Sequence, residues 1–176
     1  MRVVLILAAT VALLAVTPAL ALTEAQRECP ARAAPSGFSQ RIARAQLGTA
    51  NQQELDTVNA LYVKVADRCA QRTGVPPALR DAYRNYAVFR LIHDGAALEL
   101  RAAKIPTTVI EQVMDVGPGR ANPALDSLSE SQAGRIYAAL LDNHVPTAAV
   151  KDGTWAMIRT YAVATSKMER ALAGMH

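Results

Sequence analysis

Beyond residue 37, apolar positions recur at alternating steps of three and four, the period of helices that turn one face to a core. No stretch sustains apolar–polar alternation with β-branched enrichment. The pattern therefore predicts an all-α fold, a single compact bundle of about five to six helices. A short helix is expected from Ser39 to about Leu47, stopped by Gly48. The next starts at Asn51, with Glu54 in the capping-box position, and runs to about Thr73 before Gly74. Its stripe of Leu55, Val58, Leu61, Tyr62, Val65 and Cys69 turns Cys69 inward.

A third helix, Ala78 to about Lys104, follows the rigid Val75-Pro76-Pro77 turn. Ala82, Phe89, His93, Ala96 and Leu100 share one arc with Tyr86 at its edge, and Val88, Leu91 and Ile92 widen it. A helix apolar on most of its circumference needs neighbours on several sides, so this one is expected at the centre. Pro106-Thr107-Thr108 opens a fourth helix to about Asp115, with Thr108 and Glu111 as a capping box. Gly117 to Ser127 is the longest irregular connection. Ser129 and Gln132 cap a fifth helix to about Asn143, and the last is expected as one rod from Pro146 to about Ala173, with a kink at Asp152-Gly153.

The first 37 residues follow another pattern. Residues 1–21, MRVVLILAATVALLAVTPALA, place one basic residue before an apolar run from Val3 to Val16, then a breaker at Pro18 and a small-x-small end at Ala19-Leu20-Ala21. This is the order of a cleavable signal peptide, and the run is shorter than the ~20 residues of a membrane-spanning helix. Cleavage after Ala21 would release a domain into the periplasm or the surrounding medium. No later apolar run reaches spanning length. Residues 22–37, with Pro30, Pro35 and Gly37, read as an irregular arm, extended or partly helical, and residues 38–176 as the helical domain.

In an oxidising compartment the two cysteines, Cys29 and Cys69, are expected to pair and fasten that arm to the second helix. Without C-x-x-C spacing or a nearby histidine, they do not read as a redox or metal pair. The formal charge of +4 falls to +3 once Arg2 is removed, and the basic residues are interspersed with acids. That excludes the concentrated cationic face of a nucleic-acid binder.

No motif fixes a reaction by its spacing. G-x-S-x-G, H-E-x-x-H and the phosphate-binding G-x-x-x-x-G-K-[ST] are all missing, and His93, His144 and His176 fall on separate elements without ligand-like neighbours. No catalytic residue, metal ligand or cofactor is assigned. One constellation has chemical content: Tyr83, Tyr86, Arg90 and His93 follow at steps of three, four and three along the third helix. Such a side could line a pocket for an anionic or aromatic ligand, or it could be packing, with Tyr86 and His93 in the core and Tyr83 and Arg90 at its fringe. The lone Trp155 and the Asp115–Asn122 loop are weaker candidates. The sequence thus predicts an exported non-catalytic protein that binds another envelope or secreted protein, of inhibitor, immunity or adaptor type. The alternatives are a small-ligand carrier or sensor with an interhelical pocket, marked by a pocket touching those four side chains, and an enzyme of unrecognised type, marked by a histidine paired to a carboxylate in a cleft.

Overall fold

The computed structural model describes residues 21–48 and 50–175. The expected signal peptide, apart from Ala21, lies outside the described residues, as does His176. Among the described residues there is no strand. Seven α-helices follow one another: α1 (Glu24–Ala33), α2 (Phe38–Ala45), α3 (Gln52–Arg72), α4 (Arg80–Ala102), α5 (Thr107–Met114), α6 (Glu130–Asp142) and α7 (Asp152–Ala173), with 3-10 turns at Pro77–Leu79 and Thr147–Ala149. The all-α class is as expected, and the helix count is slightly above it.

Most of the excess comes from the arm, whose residues 24–33 form a helix while 34–37 stay irregular. Thr23 accepts from the Gln26 N–H while the Gln26 side chain accepts from the Thr23 N–H, a capping box that starts α1. Pro30 falls inside this helix and has no N–H to give to the carbonyl four residues back, at Gln26. The Tyr83 hydroxyl supplies the missing donor, reaching the Gln26 oxygen at 2.8 Å, and Tyr86 donates to the Arg27 carbonyl at 3.1 Å. Helix α1 is therefore completed by α4. Cys29 and Cys69 form the expected disulfide, with 5.7 Å between Cα atoms, tying α1 to α3.

The last element differs in the other direction. Thr147–Ala149 closes as a separate 3-10 turn and α7 begins only after Lys151, so there is no continuous rod from Pro146. Val150 leaves the helical region, and the weak helix former Gly153 gives the first turn of α7 nothing with which to extend backwards. The Thr108–Glu111 box is also not formed: Pro106 is the N-cap of α5 and no side chain caps it. Glu111 is instead engaged by the Tyr161 hydroxyl from α7. Asn51 and Ser129 cap α3 and α6 as expected, Ser129 with the full reciprocal bond from Gln132.

Helix α4 is at the centre, touching α1, α2, α3, α5 and α7, with its most extensive contact along α7. Its approach to α2 depends on Gly95, where an added Cβ would stand 1.8 Å from the Ser39 carbonyl oxygen. Four helices, α3 to α6, end in the same way. A left-handed residue (Gly74, Lys104, Asp115, His144) follows the helix, and the next N–H returns to a carbonyl five residues back (Val75 to Ala70, Ile105 to Leu100, Val116 to Glu111, Val145 to Leu140). That next residue is β-branched and buried in each case, and a proline follows within two positions. These turns fold the chain back on itself and place the short α5 and α6 over one end of the α4–α7 pair.

Candidate functional site

The four residues singled out on α4 separate. Tyr83 is fully buried, packed beside the disulfide and Tyr86 and apart from the cleft the other three share; its hydroxyl completes α1. Tyr86, Arg90 and His93 line that cleft, of about 580 Å³, between α1, α4, α7 and the loop after α5. That volume is within the ordinary range for small-molecule sites. Tyr83 is thus corrected from fringe to core, while Arg90 stays half-buried at the fringe and is the hub of an ion network.

Arg90 donates through Nε to both Asp94 oxygens, at 2.9 and 3.1 Å, one helical turn along α4. Its other two nitrogens face the two Glu28 oxygens on α1 at 3.3 and 3.5 Å, the planar fork matching a carboxylate edge. Burial by itself would weaken the guanidinium, but Asp94 and Tyr86 hold its pKa above the usual arginine value. For Asp94, burial works toward a raised pKa and is outweighed by hydrogen bonds from His93 and Arg90, so its carboxyl stays below the ordinary value.

His93 completes the network. Its Nδ1 lies 3.0 Å from an Asp94 oxygen. An ionised carboxylate can only accept, so Nδ1 carries the proton and Nε2 has a free lone pair in the neutral ring. No buried side-chain nitrogen or oxygen lacks a partner among the described residues, which means the unpartnered Nε2 is open to solvent in the cleft. The ring is seated on Tyr161, with centroids 5.0 Å apart. Glu169 faces the same space from α7. Burial raises its pKa, offset in part by the charges of His93, Arg27 and Arg90. It makes no hydrogen bond among the described residues.

The loop that closes one side is ordered by Asn122. Its Oδ1 accepts from the Gly117 N–H at 2.7 Å, and its Nδ2 donates to the Gly117 and Arg120 carbonyls, each at 2.9 Å. This turn sets Pro118 and Gly119 against the cleft, while Arg120 stays outside the lining. Met168 and Leu172 complete an apolar wall.

Other hollows lack this convergence. One of about 310 Å³ between α2, α4 and α7 is lined by Phe89, Ile92 and Val163, and the Asp126 at its rim is already paired with Lys167 at 2.8 Å. A groove beside Lys104 and His144 carries its charged and imidazole groups on exposed side chains, and His144 has no carboxylate partner among the described residues. Trp155 packs its ring 6.5 Å from the half-exposed Tyr137, forming a shallow aromatic shelf. No group of three or more His, Cys, Asp or Glu able to hold a metal ion occurs among the described residues, and no described helix is long and apolar enough to cross a membrane.

Sequence reasoning missed Asp94, Glu28, Arg27 and Glu169. The Arg90–Asp94 spacing of four and the adjacency of His93 and Asp94 were available as signals. Nothing in the sequence brings α1 and α7 to the same side of α4. Family models, curated proteins and solved structures were compared with the chain, and none matches.

Proposed function

We propose that this chain is an exported helical protein that binds a small ligand in the α1/α4/α7 cleft, acting as a carrier or sensor. The observation that carries the reading is the convergence of His93 Nε2 and the Glu169 carboxyl, both without protein partners among the described residues, on a cleft of about 580 Å³. The Arg90 network holds the imidazole in one tautomer, so the site is organised before a ligand arrives. A histidine paired to a carboxylate in a cleft is also how a general base is built. Binding is favoured over catalysis because the lining contains no Ser, Thr, Cys or Lys, and the Tyr86 hydroxyl is spent on the Arg27 carbonyl. Export is supported by the composition of residues 1–21 and by the disulfide, a bond that persists in oxidising compartments.

The test is native mass spectrometry of the protein recovered from the envelope fraction without denaturation, beside Leu172→Trp, which fills the apolar wall. The expected result is a mature chain starting at Leu22 with a small-molecule adduct that the variant lacks. Bare protein from both, each at the mass of its own mature chain, would overturn the ligand reading, and a chain starting at Met1 would overturn export. A second reading, binding to another exported protein, is supported by the Tyr137–Trp155 shelf, since exposed aromatics are enriched at such interfaces. It ranks second because the shelf is shallow and Glu130 is the one charged residue lining it.

A further inference from the structure

The charges lining the cleft fall into two sets. Arg90 and Glu28 face each other as a fork on a carboxylate and neutralise one another, with Asp94 backing both Arg90 and His93. Neither is free to meet a ligand. What the cleft presents is Arg27 from α1, an exposed side chain at the mouth that makes no side-chain hydrogen bond or ion pair among the described residues, and, from α7 and α4, the half-buried Glu169 and the open Nε2 of His93. The Arg27 charge is felt at Glu169, yet the two do not form an ion pair. A gap is left between opposite charges, and Met168, Leu172 and Pro118 supply apolar surface beside it.

A ligand matching this lining needs an anionic end, a donor-rich cationic end and an apolar body. An organic anion alone would leave Glu169 and Nε2 without donors and would be repelled by the carboxylate. An organic cation alone would be repelled by Arg27. Leaving the half-buried Glu169 covered and unmatched, or a like charge beside Arg27, is the kind of mismatch that site specificity is built on.

We infer that the cleft takes a small zwitterion with an apolar side chain, a free amino acid or a short peptide, its carboxylate on Arg27 and its ammonium on Glu169 and His93 Nε2. This deepens the ligand-binding reading and rests on it. Glu24, the remaining charge at the rim, is exposed in the first turn of α1, where the helix dipole already accounts for an acid.

Isothermal titration of the exported protein tests the inference with L-leucine, Leu-Leu and Leu-Leu-Leu as zwitterions, and with N-acetyl-leucine and 3-methylbutylamine as analogues that each lack one charge. The zwitterions are expected to bind, each analogue about tenfold more weakly or worse, as for loss of one charge-assisted contact. Glu169→Gln should weaken leucine and the amine while sparing N-acetyl-leucine, and Arg27→Gln should weaken leucine and N-acetyl-leucine while sparing the amine. Circular dichroism confirms that both variants are folded. Leucine binding with the tripeptide excluded identifies a free amino acid, and the opposite order a peptide. If either analogue binds as tightly as leucine, if both variants leave leucine affinity unchanged, or if none of the five binds, the zwitterion is overturned. In each case the adduct found by native mass spectrometry decides separately whether the cleft holds a ligand.

Discussion

Gly95 shows how far one missing side chain controls the packing of this protein. In an isolated helix, Gly→Ala would gain about 1 kcal/mol from propensity. Here the added methyl would stand 1.8 Å from a backbone oxygen of α2, which cannot rotate away as a side chain would. Overpacking of this kind costs ~3 kcal/mol, so the clash outweighs the propensity gain. Gly95→Ala is therefore expected to lower the melting temperature by roughly 8 °C, measured by calorimetry; an unchanged or higher value would mean that α2 and α4 do not cross at this point. Lys104 and His144 carry information of a different sort. They occupy left-handed positions usually given to glycine, at φ 60° each, and their residue type announces no such turn. The buried Ile105 and Val145 that follow, and the prolines after them, are what impose it.

At the scale of elements, α1 depends on its neighbours. Pro30 inside it and Pro35 just beyond its end made the segment read as irregular or only partly helical, and by propensity alone that reading is sound. The capping box, the Tyr83 and Tyr86 hydroxyls and the disulfide overcome it. Closing a loop across a separation of 40 residues is worth ~4 kcal/mol in the chain-entropy model. Replacing both cysteines, Cys29→Ser with Cys69→Ser, should cost up to that amount in urea unfolding. Hydrogen exchange should then localise the loss, with amides of Glu24–Ala33 losing protection first and those of α4 and α7 last. Uniform loss over all helices would contradict the view that α1 is held from outside. The α5 cap shows the same dependence reversed: a box legible as Thr108–Glu111 is forgone because Glu111 has a partner in α7.

For the whole molecule, the ion network joining α1 and α4 ties stability to pH. Asp94 has a lower pKa folded than unfolded, so its contribution is complete above the ordinary value near 3.8 and is lost as pH falls below it, through the folded value. Glu169 acts in the opposite sense: its raised folded pKa stabilises the protein only at acid pH, and that contribution fades as pH rises through the folded value. Thermal melts between about pH 2 and pH 7 should show Asp94→Asn less stable than wild type at neutral pH and with a flatter acid limb. An acid limb of unchanged slope in that variant would remove Asp94 from the network.

The sequence by itself determined the helical class, the inward turn of Cys69, its pairing with Cys29, the central place of α4, and the caps at Asn51 and Ser129. Each follows from spacing within a few residues or from a count of apolar positions, and such local terms are read along one strand of text. Only the tertiary structure decided that Tyr83 is core and Arg90 a hub, that α1 is a helix, and that Glu28, Arg27 and Glu169 share a cleft with His93. Those outcomes depend on groups far apart in the chain, Arg90 and Glu28 being 62 residues apart and Tyr83 and Gln26 57. Hydrogen bonds and charges act through space, and no periodicity along the chain encodes which helix lies across from which.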